Sequence, residues 1–147
     1  VNPPYFPLMR SLLALTFLAT QAQAWEFTPA PICTLSHAEQ GTEVRVTYDH
    51  ATRLYAIALT TAQGWPAAPS FSMRFDGPNP NTISTPRHTV SGTTLTVTAT
   101  GFGNVLDGLQ YNQTATAFTS TAAITVSLDG AAKPVEQFRA CTTAPLA

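Results

Sequence analysis

The chain has 147 residues, with seven Lys and Arg against eight Asp and Glu, a formal net charge of −1 and only 10% charged residues, where an average soluble domain carries about 25%. Without a dense cationic footprint to neutralise phosphates, the balance argues against nucleic acid as a partner and disfavours an anionic membrane surface. Threonine supplies much of the polarity instead, and its branched Cβ suits a pleated sheet.

Residues 1–24 read as an N-terminal extension followed by a cleavable export signal. Met9-Arg10 places one cation ahead of an apolar run from Leu12 to Ala19, and Ala22-Gln23-Ala24 offers the small residues a signal peptidase reads,. The true start is expected at Met9, and residues 25–147 form a single mature β domain beginning at Trp25. A run this short does not span a bilayer, which takes about 20 apolar residues, so no stable membrane insertion is expected after cleavage. The expected location is periplasmic or secreted. In such a compartment the only two cysteines, Cys33 and Cys141, are expected to form a disulfide closing almost the whole mature chain.

Period-two alternation begins clearly at Glu43, with Val44, Val46 and Tyr48 facing inward, and resumes from Leu54 with Tyr55, Ile57 and Leu59. Asp49 to Thr52 reads as the turn of a hairpin. After a Pro- and Gly-rich loop around Trp65, the residues Phe71, Met73 and Phe75 give the most apolar strand face. Asp76-Gly77-Pro78-Asn79-Pro80-Asn81 ends that strand. Short extended pieces hold Ile83 and Val90, interrupted by Pro86, and Ser91-Gly92 turns into a strand over Thr93–Thr100. Gly101 to Leu109 predicts a compact loop or one helical turn. Thr114–Thr119 is a strand burying either Thr116 and Phe118 or the intervening alanines, and Ala123–Leu128 is another with Ile124, Val126 and Leu128 inward. Pro134 and Glu136 suit the start of a helix whose Val135, Phe138 and Cys141 share one face. The sum is a mainly β fold: an antiparallel sandwich or small barrel of about seven or eight strands with a short C-terminal helix.

Motifs for chemistry are sparse. His37, His50 and His88 have no ligand-like spacing, so no metal is expected, and neither a phosphate loop nor a dinucleotide fingerprint occurs, so no cofactor is expected. No G-x-S-x-G elbow marks a nucleophile. The least implausible catalytic group is Asp76, Arg87, His88 and Asp107, all of which only the fold could gather. Trp65, Phe102 and Asn104 are candidate binding residues, because a Trp beside Pro and a Gly-rich loop are shapes used in recognition. Asn112-Gln113-Thr114 matches a glycosylation sequon.

Trp25-Glu26-Phe27 with Cys33, Met73 to Pro78, Ile83-Ser84-Thr85 with Arg87-His88, Gly101 to Leu109, and Phe138 to Cys141 together resemble a family of small exported alphaproteobacterial proteins. Some of its members carry an excinuclease ABC label, that of a DNA-repair helicase relative, which does not fit an exported chain with no P-loop. A fainter similarity in size and β content links it to the invasion-associated proteins, another exported family. The resemblance implies export and no particular reaction. The expectation is a non-catalytic exported domain that binds an unknown protein or small-molecule ligand or serves the envelope. The alternatives are a small enzyme, or a protein inhibitor of an exported enzyme presenting Asp76–Asn81.

Overall fold

The computed structural model describes residues 4, 13–16 and 23–145. The expected signal over Met9–Ala24 therefore lies outside the described residues, except for 13–16 and 23–24. Among the described residues, ten strands and two helices follow in the order β1 (Gln23–Thr28), β2 (Cys33–Glu39), β3 (Thr42–Asp49), β4 (Leu54–Thr61), β5 (Phe71–Asp76), β6 (Asn81–Thr85), β7 (His88–Ser91), β8 (Thr94–Ala99), α1 (Gly103–Tyr111), β9 (Thr114–Phe118), β10 (Ala123–Ser127) and α2 (Ala132–Thr143). They form two antiparallel sheets, one of order β1-β2-β3-β4-β8-β7 and one of order β10-β9-β5-β6.

The inward faces follow the alternation in the sequence. In the larger sheet Leu35 lies opposite Val46, which lies opposite Ile57, which lies opposite Val97. In the smaller sheet Met73 and Phe75 face Ala117 and Ala115, large against small, so the strands bury the alanines of β9 rather than Phe118. Thr116, on the other face, has its hydroxyl 3.0 Å from that of Thr125. Phe75, Phe138, Leu35, Ile57, Leu59 and Leu95 are among the fully buried side chains, each contributing about 1.5–3 kcal/mol of apolar burial.

Three differences from the sequence-based expectation matter. Strands β1 and β2 precede the first clear alternation, because the inward series of β2 is Cys33, Leu35 and His37, and a histidine hides the apolar period. The segment after Gly101 is a nine-residue helix rather than a single turn. Gly103 and Gly108 weaken its propensity, and tertiary contact with the smaller sheet overrides it. The third difference is the strand count, raised to ten by β1 and β2, while the short pieces around Ile83 and Val90 are β6 and β7, in different sheets.

The helices fill the space between the sheets: α1 contacts β6 and β9, α2 contacts β1 and β2, and the two touch each other. Val135 and Phe138 of α2 are buried, and Cys141 is joined to Cys33, with Cα atoms 5.9 Å apart. At one edge the sheets are tied by side chains. Trp25 donates its indole N–H to the carbonyl of Ser127 at 2.8 Å, and the Ser127 N–H donates to Glu39 Oε1 at 2.6 Å. At the opposite edge the chain itself crosses, leaving the smaller sheet at Thr85 and entering the larger at His88. Pro86 lacks an N–H and cannot continue a ladder, so Arg87 is placed at the corner between the sheets.

Candidate functional site

Beside that corner a cleft of about 410 Å³ opens between the two sheets. Its floor is Ile57 from β4, Phe71 and Met73 from β5, and Phe102 just before α1; all four are at least 95% buried. Half-buried Ile83, Val97 and Val105 form its walls, and Ser84, Thr85, Thr98, Asn104 and Arg87 its polar rim. The volume lies at the small end of the roughly 300–1,000 Å³ typical of ligand pockets, and apolar walls with few polar groups are their usual lining.

Local sequence explains each wall. Phe71 and Met73 point inward because β5 alternates them with Ser72 and Arg74. The chain turns after β8 and delivers Phe102 to the core, where its ring centroid sits 5.4 Å from that of Tyr55. Helix α1 then starts without a side-chain cap and without an acidic residue in its first turn. Its first backbone bond runs from the Leu106 N–H to the Phe102 carbonyl at 2.8 Å. The N–H groups of Gly103, Asn104 and Val105 precede any intrahelical acceptor, and all three residues line the cleft.

Of the four polar candidates, only Arg87 reaches this cleft. It is the sole ionisable residue in the lining, and it has no ion-pair partner among the described residues. Asp76 pairs with Arg74 at 3.1 Å on the outer face of β5, where both are about half exposed. Asp107 pairs with Arg139 at 2.6 Å, linking α1 to α2. His88 stands next to Arg87 but turns its ring toward Phe71, centroids 6.4 Å apart. The two acids thus serve ion pairs elsewhere, and the four do not assemble.

Among the binding candidates, Phe102 and Asn104 both line the cleft, one in its floor and one on its rim. Trp65 is a core residue: it is 5% exposed, donates its indole N–H to the Leu59 carbonyl at 2.9 Å, and stands edge-on behind Phe71 at 6.1 Å. Sequence reasoning missed Ile57, Met73 and Val97 as site residues, since inward alternation marks both packed core and cavity wall. Among the described residues no three His, Cys, Asp or Glu side chains gather as a metal site, and no helix is long and apolar enough to cross a membrane.

The loop from Gly77 to Pro80 is pinned rather than free. Asn112 accepts from the Asn79 N–H at 2.9 Å and donates to the carbonyls of Asn79 and Gly108 at 2.8 and 3.1 Å. Gly77, at φ +154°, fits because a Cβ there would collide with the Asn112 backbone. The Asn112 amide is thus consumed inside the protein, with the residue 9% exposed.

Comparison with family models, with curated proteins and with solved structures finds no match. The function is therefore inferred from the chemistry of the cleft.

Proposed function

We propose that the protein is an exported, non-catalytic binding domain that holds a small, mainly apolar ligand in the cleft between its sheets. The observation that carries this reading is the separation of the polar groups. Acid–base and nucleophilic catalysis depend on polar groups converging on the reacting atoms, whereas here Asp76 and Asp107 are engaged with arginines away from the cleft. An apolar floor with one cation at the rim suits capture and release. Export is supported by the charge, apolar run and small residues of 9–24, and by a disulfide spanning 108 positions, a bond that reducing compartments rarely keep.

Calorimetric titration of the mature, oxidised domain with 1-octanol tests the cleft. Saturable one-site binding that disappears when half-buried Ala99 at the wall is enlarged (A99W), with the fold intact by circular dichroism, is expected. Equal binding by both proteins would overturn the assignment. Export is checked by expressing residues 9–147 in a bacterium and weighing the periplasmic product, whose expected N-terminus is Trp25.

A further inference from the structure

The cleft's charge pattern names a ligand class. Its floor is Ile57, Phe71, Met73 and Phe102, with no carboxylate anywhere in the lining, and Arg87 is the one ionisable group at its mouth. We propose that the ligand is an amphipathic monocarboxylate, its apolar body on that floor and its carboxylate against the Arg87 guanidinium; this rests on the binding reading above. A neutral ligand would make no use of the Arg87 charge, and a cationic one would meet it with like charge. An anion with a short apolar tail satisfies both ends of the site. The planar guanidinium also matches a carboxylate's two oxygens in a bidentate fork.

Size bounds the tail. A volume of about 410 Å³, at about 30 Å³ per water-sized group, holds on the order of a dozen non-hydrogen atoms. That admits a medium-chain fatty acid or an arylalkanoic acid and leaves most of a long acyl chain outside.

The position of Arg87 makes its role separable from folding. It is exposed, and only its backbone N–H is used, donating to Thr85 Oγ1 at 3.0 Å. R87Q therefore keeps the corner between β6 and β7 while removing the charge.

The test titrates the mature protein with octanoate and with 1-octanol, which share a tail and differ in the head. Octanoate is expected to bind about two- to fivefold more tightly, the range one exposed charge contact supplies. R87Q is expected to erase that difference, so that the two ligands bind alike, and added salt is expected to weaken octanoate binding to the parent protein. Equal affinity of the two ligands, or an octanoate preference that survives R87Q, overturns the carboxylate assignment and leaves the apolar cleft standing. Failure of both ligands to bind overturns the binding reading itself.

Discussion

Gly108 of α1 lies directly on the ring of Phe75 in β5, so close that a Cβ at position 108 would fall inside the ring's contact surface. This approach seats α1 against the smaller sheet. Phe102, at the start of the helix, is thereby held in the cleft floor.

That contact reverses an ordinary expectation. Gly to Ala in an exposed helix interior gains about 1 kcal/mol, but G108A forces Phe75 off its position and is expected to cost about 1–3 kcal/mol by overpacking. G103A, which meets open space in the same helix, is expected to be neutral or mildly stabilising. Urea unfolding of the two variants against the parent decides the sign.

The Cys33–Cys141 bond closes a loop of 108 residues in sequence separation. In the chain-entropy picture such a closure is worth roughly 4–5 kcal/mol, a large share of the roughly 5–15 kcal/mol that holds a domain. The C33A/C141A variant is expected to lose a comparable amount in chemical denaturation and to match the reduced parent protein. If it unfolds at the same denaturant concentration as the oxidised parent, the bond contributes little.

Glu39 joins three elements, accepting from Ser127 of β10 and lying 3.0 Å from Nε2 of buried His37, on which Trp25 stacks at 4.6 Å. Because a carboxylate only accepts, Nε2 donates; Nδ1 has no partner among the described residues. E39A strips the ring of its last hydrogen bond and is expected to cost about 1–3 kcal/mol. In a W65F background, where Trp25 is the remaining tryptophan, the emission of Trp25 is expected to shift at the same time. Unchanged stability and emission would mean that Glu39 adds little to this edge, which the Trp25–Ser127 bond then holds.

Asn112 holds the Gly77–Pro80 loop through both ends of its amide. N112A leaves the Asn79 N–H and carbonyl without those partners, and a loss of about 1–3 kcal/mol is expected. Amide exchange is the sharper measurement: protection at Asn79 is expected to fall while that of β5 residues such as Met73 persists.

The alternating runs from Val44 to Leu59 and from Phe71 to Phe75 were legible because a half-buried strand writes its period into the chain. The C-terminal helix was legible because Val135, Phe138 and Cys141 recur on one face. Strand β2 was not, because His37 occupies an inward position where its neighbour Glu39 and the stacked Trp25 make a polar ring tolerable. Nor was α1, whose glycine is a helix breaker in isolation and a fitting piece only against Phe75. Among the candidate site residues, nothing in the local sequence separates Asp76 and Asp107 from Arg87. Their partners, Arg74 and Arg139, stand two and 32 positions away, and only the fold shows which charge is engaged and which is left at the cleft.

By itself, the sequence determined the class of the molecule: β strands by alternation, a closing bond by two cysteines, and no motif for cofactor or nucleotide. Tertiary structure alone decided where a site exists. A cavity is the space that two sheets and a helix fail to fill, and that depends on how far apart packing holds them. Inward residues such as Ile57 and Leu59 carry the same period in the chain, yet only Ile57 borders the cleft.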